Sequence, residues 1–429
     1  MEQPKTTPST ASPPSLMVLT DDQQAAVTAL YPAAAMILVA GTGVGKTVIG
    51  LTGVKELIAD GHAQKFIVAA PAKVVEKMIW VNEAAKWSHL RDLRIVQLEG
   101  TSAQRTKTLL SCEAEILLVS LNNLEWLLAQ DHDCDGIIID ELSKASGKWT
   151  KGLKSKKKAG RLVTRWGFTA TPVSQNFEKL YGMCRILDGG AALGTNKQNF
   201  MLEHFYPDYN GHNWTLKGFA DVTIMSKVSH LVHLVADNKA ETLPTLTERI
   251  IKFDMPTATR DVYNEMKRHM VAGEVEAANQ AVKSSKLRQL ASGFIYDDGI
   301  TTEFDRARLH AAYKWVDSLD GRPGLIFYEF VEQEQLLRHL PSQIKLAQIQ
   351  SMSHGVDGLQ HEYADLCFMQ PVWSRDSYEQ AVGRVHRQGQ MKPVTVTTLC
   401  CNNTLDELVM ARVEDRGQWM ELFKQHLKG

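Results

Sequence analysis

Residues 40–47, which read Ala-Gly-Thr-Gly-Val-Gly-Lys-Thr, restrict the possible folds more than any other segment of the chain. The segment follows a short apolar run at residues 36–40 and precedes a stretch with helical periodicity. A glycine-rich turn between a strand and a helix leaves backbone N–H groups free to bind phosphate. The pattern therefore predicts an α/β fold that begins with a phosphate-binding loop.

The last two residues of this loop carry its chemistry. The Lys46 ammonium would reach the β- and γ-phosphates of a nucleotide, and the Thr47 hydroxyl would bind magnesium. We therefore expect ATP and Mg²⁺ as the ligands of this site.

Two adjacent carboxylates, Asp140 and Glu141, end an apolar run at residues 137–139. In a parallel sheet they would lie at the carboxyl edge, where the phosphate loop also lies. An Asp-Glu pair is by itself more often a solvated strand end, but downstream of a phosphate loop it favours a metal site. We predict that Asp140 binds magnesium and that Glu141 activates water.

Two later segments also carry polar residues that could act on the nucleotide. Thr169, Ala170 and Thr171 follow another predicted strand, where they could link the nucleotide site to a moving neighbour. Arg384 and Arg387 are three residues apart on a predicted helix and would therefore share one face. Two guanidinium groups on one face suit the stabilisation of a transferring phosphoryl group.

Composition fits a globular protein with more than one core. The chain has 429 residues, 44% of them hydrophobic and 23% charged, and this length predicts two or three domains. The six cysteines are scattered without a CxxC pair, so neither a zinc site nor a disulfide framework is expected, and a reducing cytoplasm fits best. No apolar run approaches the roughly 18 residues that span a bilayer, so we expect a soluble protein without a membrane partner.

Charge is close to balanced overall but unevenly distributed. The net charge of −1 gives no global sign of a nucleic-acid partner. Between residues 142 and 177 there is no acidic residue. This stretch is equally consistent with a solvated basic loop and with a nucleic-acid contact. Its basic residues are Lys144, Lys148, Lys151, Lys154, Lys156, Lys157, Lys158, Arg161 and Arg165.

The order of apolar runs predicts two lobes. Residues 1–15 are rich in Pro, Ser and Thr and are expected to form a disordered leader. From residue 16 to 238, and again from 239 to 429, apolar runs alternate with amphipathic stretches. Several runs are apolar on consecutive residues, as in strands covered by helices on both faces. We therefore predict two tandem, doubly wound parallel-sheet lobes with the nucleotide site in the cleft between them.

The predicted strands of the first lobe are residues 36–40, 66–70, 94–98, 115–120, 136–140 and 166–170. Those of the second lobe are residues 248–253, 324–328, 344–350, 364–369 and 394–399. Helices are predicted in the second lobe at residues 258–270, 275–292, 304–319 and 405–427.

In this order and spacing, the motifs resemble those of superfamily 2 helicases, and in detail those of Swi/Snf-type DNA translocases, especially compact versions carried by bacteriophages. The resemblance spans about residues 19–428, and its most specific part is His386-Arg-Gln-Gly-Gln390. Leu19-Thr-Asp-Asp-Gln23 resembles the family's adenine-reading glutamine motif, and Asp140-Glu-Leu-Ser143 stands where the family has Asp-Glu-Ala-His. The resemblance implies that both lobes are RecA-like.

Further site residues follow from this resemblance. The segment 67–71, followed by Trp80 and Trp87, resembles the motif that contacts the nucleic-acid strand. Gly355 is expected to couple the lobes, although residues 353–359 depart from the family's usual sequence. The residues expected at the DNA are Pro71, Lys73 and Ser120. Those expected around ATP are Gln23, Gly41, Thr42, Gly43, Val44, Gly45, Lys46, Thr47 and Gln380.

Connecting segments point to the same family. They are Leu193-Gly194 with Phe200 and Phe205, Leu243-Pro244 before Arg249, and Lys286-Leu-Arg-Gln-Leu290. Between residues 340 and 355 there is room for only one strand, so the second lobe is expected to be shorter than is usual in the family.

The resemblance implies a nucleic-acid partner, double-stranded DNA in the first place, and a monomeric protein in the cytoplasm, which is the host's if a phage encodes the chain. An RNA helicase stays open because lobes that hold the backbone tolerate either sugar. A DNA-packaging ATPase would be expected to carry a nuclease lobe. Retention of Lys46, Glu141 and both arginines argues against a catalytically silent nucleic-acid-binding module of the same fold.

Overall fold

The structure is a computed structural model of the chain. It describes residues 17–41, 43–144, 147–154, 162–173, 177–209, 214–236, 243–269, 271–272, 275–276, 280–352 and 358–428. The predictions for the leader at residues 1–15, for Thr42 and for Gly355 lie outside this described part.

The first lobe contains the following helices and strands. The helices are α1 (Asp21–Leu30), α2 (Lys46–Ala59), α3 (Ala72–Glu76), α4 (Ile79–Lys86), α5 (Ser102–Ser111), α6 (Leu124–Ala129), α7 (Gly147–Lys154), α8 (Glu178–Leu187), α9 (Lys197–His204) and α10 (Ala220–Val228). The strands are β1 (Ala35–Val39), β2 (Phe66–Ala70), β3 (Ile95–Gln97), β4 (Ile116–Ser120), β5 (Gly136–Asp140), β6 (Thr164–Thr169), β7 (Phe205–Pro207), β8 (Trp214–Leu216) and β9 (Val232–Leu234). Short 3₁₀ helices lie at Ser88–Leu90, Leu121–Asn123, Leu142–Lys144 and Ser229–Leu231.

The main sheet of this lobe has the strand order β3-β4-β2-β5-β6-β1-β9, and neighbouring strands are parallel. Alternate residues of one strand enter different cores: Ile37 packs in the core on one face and Leu38 in the core on the other. Strands β2 and β4 are buried along their whole length. Burial on both faces explains the consecutive apolar residues and confirms the predicted sheet.

The second lobe contains the remaining elements. The strands are β10 (Leu246–Phe253), β11 (Val271–Ala272), β12 (Val275–Glu276), β13 (Phe294–Asp297), β14 (Ile300–Glu303), β15 (Gly324–Tyr328), β16 (Ile344–Gln348), β17 (Asp365–Phe368) and β18 (Val394–Cys401). The helices are α11 (Thr257–His269), α12 (Gln280–Ala291), α13 (Ala307–Asp317), α14 (Val331–Leu337), α15 (Ile349–Met352), α16 (Leu359–Glu362), α17 (Arg375–Val382) and α18 (Leu405–Lys428).

The second main sheet has the strand order β10-β18-β17-β15-β16, and its neighbouring strands are also parallel. Two parallel sheets, each covered by helices, confirm the predicted fold class. The helix predicted at residues 275–292 is wrong at its start, because Val275–Glu276 pairs with Val271–Ala272 in a short antiparallel hairpin. The helix begins only at Gln280. β-Branched valines favour the extended backbone, and helical periodicity does not reveal a partner strand.

Helix α18 crosses from the second lobe to the first. Near its start, Asp406 forms a buried ion pair with Arg308 of α13. Near its end, Phe423 is fully buried in the first lobe's core, and His426 lies 2.8 Å from Asp221 of α10. The predicted second lobe, residues 239–429, therefore ends in a segment that packs on the first. In the described part of the chain, no helix combines the length and the apolar character needed to cross a bilayer.

Phe423→Ala is expected to lower the free energy of unfolding by about 3–5 kcal/mol, because it removes a fully buried ring from the core. The ring packs against Phe177, with the centroids 6.4 Å apart. Denaturant unfolding measures the effect. Leu408→Ala on the same helix is the matched control, because Leu408 is 60% exposed. Equal stabilities of the two variants would contradict the anchoring of α18 in the first lobe.

Candidate active site

The phosphate loop connects β1 to α2 and depends on two glycines with left-handed backbone. Gly43 has φ +83° and Gly45 has φ +96°, a region that residues with a Cβ rarely adopt. A Cβ on Gly45 would also lie 2.5 Å from Nε2 of Gln23. The left-handed backbone therefore favours glycine at Gly45, and a larger residue would also displace the Gln23 amide.

Lys46 begins α2, and its side chain folds back over the loop. Its Nζ donates hydrogen bonds to the carbonyl oxygens of Ala40 at 2.9 Å and Gly41 at 3.1 Å. Thr47 follows in the first helical turn and is half-buried. An ammonium beside the N-terminus of a 14-residue helix produces a positive site of the kind that binds phosphate.

Gln23 lies against this loop with its amide engaged by the protein. Its Oε1 accepts from the backbone N–H of Thr20 at 3.0 Å, and its Nε2 donates to the Val44 carbonyl at 2.9 Å. The first bond belongs to the capping box of α1. Gln23 therefore supports the phosphate loop directly, and its role in adenine recognition stays a prediction.

Asp140 ends β5 in a half-buried position. The indole N–H of Trp80 donates to its Oδ2 at 3.4 Å. Burial raises the pKa of the Asp140 carboxyl, and the nearby Lys46 ammonium partly opposes that rise. A partly buried carboxylate is stabilised by a nearby cation, and a bound metal would supply one.

The donor set fits magnesium shared with a nucleotide. Asp140 offers a carboxylate and Thr47 a hydroxyl, both hard oxygen donors. Mg²⁺ is usually held by one or two carboxylates together with substrate phosphates. Over the described ranges, no group of three or more His, Cys, Asp and Glu side chains could hold a metal. These residues suit a nucleotide-bound Mg²⁺ better than a cage built from protein ligands alone.

Glu141, the predicted base, has an unusual backbone. Its φ is +61°, a left-handed value that costs a residue with a Cβ about 1–3 kcal/mol and that clusters at active sites. Glu141 has this backbone at the turn between β5 and the 3₁₀ helix Leu142–Lys144, where the surrounding structure must enforce it. Glu141 also lines a cavity between the two lobes.

That cavity measures about 340 Å³ and draws its lining from both lobes. The second lobe contributes residues that follow β16 and residues at the start of α17, so the carboxyl edges of the two sheets meet there. Gln380 and Glu141 therefore line one space, and its assignment to a nucleotide stays a prediction. The lining residues are Glu141, Ser143, Lys144, Lys179, Ile349, Gln350, Ser374, Ser377 and Gln380.

The residues predicted to couple the lobes lie beside the phosphate loop, where Thr169 ends β6 and Ala170 and Thr171 follow it. The Thr169 carbonyl accepts from the N–H of Ala40 at 3.1 Å, and its hydroxyl accepts from the N–H of Thr171 at 3.1 Å. Both threonines are buried, and Ala170 lies between them. A displacement of this turn would be transmitted to the phosphate loop through the hydrogen bond between Thr169 and Ala40.

Arg387 of the second lobe reaches the phosphate loop of the first. A Cβ built on Gly43 would lie 4.0 Å from Nε of Arg387. Arg384, on the same turn, is half-buried. The structure thus brings Arg387 to the loop across a sequence separation of more than 300 residues.

The helix predicted to carry both arginines is wrong in its extent. Helix α17 ends at Val382, and Gly383 caps it. Beyond it the backbone forms turns with shorter hydrogen-bonded rings, such as Val385 N–H to Val382 O at 3.0 Å. Glycine lowers helix propensity, so the helix ends before the first arginine.

His386, between the two arginines, contacts the beginning of the second lobe. Its Nε2 lies 2.7 Å from the Pro244 carbonyl, so the tautomer with a proton on Nε2 donates to it. Gln390 donates to the Tyr363 carbonyl at 2.9 Å. These bonds hold the arginine turn from both sides. The sequence identified these residues as a motif. Their contacts could not be predicted from it, because they join distant segments.

The residues predicted at the DNA are only partly accessible. Pro71 is buried and Ser120 is 9% exposed, while Lys73 is exposed. Pro71 and Ser120 are close together, because Ala70 pairs with Ser120 between β2 and β4. Their role at DNA stays a prediction, and Lys73 is the member of the set that is open to solvent.

The two tryptophans that follow this segment are inside the lobe. Trp80 is fully buried and Trp87 is 6% exposed. The Trp87 indole donates to Glu83 at 3.0 Å. A surface role as strand contacts does not fit either ring, because Trp80 in α4 and Trp87 just after it both lie in the core.

The basic stretch is not one uniform surface. The Arg165 guanidinium is half-buried and donates to the carbonyls of Leu162, Leu153 and Ile186. Lys144 and Lys148 are exposed. The residues Lys156, Lys157, Lys158 and Arg161 lie outside the described ranges.

Sequence comparison matches residues 22–296, well over half of the chain, to the SNF2-related domain. A protein designated p41 of Acyrthosiphon pisum secondary endosymbiont phage 1 is 28% identical over 91% of this chain and 94% of its own length. The Bacillus subtilis protein called ATP-dependent helicase YqhH is 21% identical over 87% of this chain and 73% of its own. The mouse DNA excision repair protein ERCC-6-like is 26% identical over 40% of this chain and 14% of its own.

Among solved structures, the Sulfolobus solfataricus SWI2/SNF2 ATPase core in complex with dsDNA covers 92% of this chain. Its sequence identity is 18%, its TM-score is 0.47, and 90% of its own length is covered.

Proposed function

The chain belongs to the SNF2-related domain family, and we propose that it couples ATP hydrolysis to movement along duplex DNA. The observation that carries the proposal is the approach of Arg387, from the second lobe, to the phosphate loop at Gly43 in the first. An arginine supplied across a cleft makes hydrolysis depend on lobe closure. Alternate closing and opening on a nucleic-acid backbone would move the protein along it.

In this proposal each side chain has a defined task. Lys46 binds the β- and γ-phosphates, and Glu141 orients and deprotonates the attacking water from its strained turn. Arg384 and Arg387 stabilise charge on the transferring phosphoryl group. Asp140 and Thr47 would hold magnesium, which would supply charge neutralisation when bound with ATP.

The contacts with ATP and the lobe boundary belong to the same proposal. Gln23, Gln380 and residues Gly41 to Thr47 would surround the nucleotide, and Thr169 to Thr171 with Gly355 would couple the lobes. We place the lobes at residues 16–238 and 239–429. The order of the strands along the chain supports this boundary. The last strand of the first sheet, β9, ends at Leu234, and the first strand of the second sheet, β10, begins at Leu246.

Duplex DNA is the proposed substrate, with Lys73 beside the backbone and Pro71 and Ser120 shaping the edge of the strand path. Support comes from the family membership, from the relative named a DNA excision repair protein and from the exposed Lys144, which lines the cavity between the lobes. Double-helical RNA is the second candidate, because contacts to phosphate carry no information on the sugar.

ATP turnover against a panel of nucleic acids tests the proposal. We expect duplex DNA to stimulate turnover more than single-stranded DNA or RNA, because movement along a duplex requires both strands as the track. Triplex displacement, measured with the same protein, should succeed while a forked duplex stays paired. The Lys46→Ala variant, purified in the same way, is the control for contaminating ATPase.

Each result of the panel has a distinct meaning. Stronger stimulation by RNA than by DNA would favour an RNA helicase, and separation of the forked duplex would add strand unwinding to movement. Nucleic-acid binding without any turnover would leave a silent binding module and would contradict the proposed activity.

A further inference from the structure

We propose that Trp80 is a positioning residue that orients the Asp140 carboxylate for magnesium. The inference rests on the proposed role of Asp140 in ATP hydrolysis and adds a residue that the phosphate-loop and carboxylate motifs do not contain. The Trp80 indole N–H donates to Oδ2 of Asp140 at 3.4 Å, across 60 residues of sequence.

The buried surroundings of the Trp80–Asp140 hydrogen bond increase its effect on the carboxylate. Trp80 is 0% exposed, and Asp140 is half-buried at the end of a strand whose preceding four residues are buried. In such surroundings a donor that holds one carboxylate oxygen limits rotation of the whole group. Partners of this kind, which contact a metal ligand and not the metal, tune metal affinity.

Three tryptophans of the first lobe show that this arrangement is specific. The indole of Trp166, also 0% exposed, donates to the Ala33 carbonyl at 2.9 Å. That of Trp87 donates to Glu83, on its own helix. Trp80 is the member of this set whose N–H reaches a predicted magnesium ligand. A large apolar side chain would satisfy packing at this position, but it would not supply a donor.

Helices α3 and α4 relate this contact to the proposed nucleic-acid path. Lys73 is exposed on α3, and α4 begins one turn later, after Met78 in a left-handed conformation with φ +52°. Trp80 is the second residue of α4. The segment that presents Lys73 to solvent therefore also supports the metal ligand inside the lobe.

Trp80→Phe tests the proposal, because it keeps an aromatic ring and removes the N–H. Binding of a fluorescent non-hydrolysable ATP analogue is measured over a range of Mg²⁺ concentrations and without Mg²⁺. We expect the Mg²⁺ concentration for half-maximal binding to rise about 10-fold. Affinity for the analogue without Mg²⁺ should stay within about 2-fold, because the phosphate loop is intact.

Trp166→Phe is the matched control. It makes the same chemical change at an equally buried site of the same lobe, where the indole bonds to a backbone carbonyl. We expect a similar loss of thermal stability in the two variants, and an unchanged Mg²⁺ half-saturation in Trp166→Phe alone. Equal Mg²⁺ dependence in both variants would overturn the proposal and leave Trp80 as a core residue.

A second replacement covers the case in which Trp80→Phe does not fold. Site-specific incorporation of 3-benzothienylalanine at position 80 replaces the ring N–H by sulfur and keeps the shape of the indole. The same rise in Mg²⁺ half-saturation is expected, and wild-type dependence would overturn the inference. Wild-type protein that binds the analogue without any response to Mg²⁺ would instead refute the proposed ATPase site itself.

Discussion

Lys46→Ala is expected to reduce nucleic-acid-stimulated ATP turnover to background, a loss on the order of 10³-fold. The Lys46 ammonium is held in the loop by the carbonyls of Ala40 and Gly41, at the place where the phosphates of ATP would lie. Alanine removes both the charge and the donor, and the neighbouring side chains cannot replace them. Steady-state phosphate release at saturating DNA measures the loss.

Lys55→Ala provides the matched control on the same helix. Lys55 forms a surface ion pair with Asp92 at 2.5 Å, and such pairs contribute about 0–1 kcal/mol. Turnover should therefore stay within about 2-fold of wild type. Unchanged turnover in Lys46→Ala would remove the phosphate-loop assignment, and with it the proposed function.

Arg387→Ala is expected to lower kcat by about 10³-fold or more, as for other arginines supplied to a phosphoryl-transfer site. Affinity for ATP should change little, because the phosphate loop and Lys46 belong to the first lobe and remain intact. The guanidinium lies beside Gly43 and is expected to act chiefly when charge develops in the transition state. Equilibrium binding of an ATP analogue, measured beside kcat, separates the two effects.

Arg387→Lys and Arg375→Ala complete this experiment. Lysine keeps the charge but loses the planar pair of donors, so its kcat should fall between wild type and alanine. Arg375, on α17, pairs with Glu379 at 2.7 Å, and its removal should leave kcat nearly unchanged. A parallel loss of ATP affinity and kcat in Arg387→Ala would show that Arg387 binds ATP in the ground state instead.

Secondary structure could be predicted where burial on both faces makes consecutive residues apolar. Strands β2 and β5 have the predicted bounds, because a strand covered on both faces is apolar at every position. The short hairpins, such as β11–β12, were missed or misread, since local pairing of two or three residues is too short for a periodic pattern. Helix α17 was predicted too long, because the pattern of the arginines did not reveal the cap at Gly383.

The candidate site divides in a similar way. Gly45 and Lys46 could be assigned from spacing alone, because a phosphate loop is continuous in sequence and its backbone conformation requires glycine at defined positions. No feature of the sequence predicted the left-handed backbone of Glu141. None predicted the contact of Trp80 with Asp140 either, and the tryptophan was instead expected to face a nucleic-acid strand.

The sequence by itself determined the parallel-sheet lobes, the glycine-rich loop after β1 and the residues that follow each strand. Only the tertiary structure decided that Arg387 approaches Gly43 and that α18 returns to the first lobe with Phe423 in its core. The physical reason is the range of the interactions. Backbone conformation and burial on a strand depend on near neighbours, whereas contacts between lobes depend on how two separately folded surfaces pack against each other.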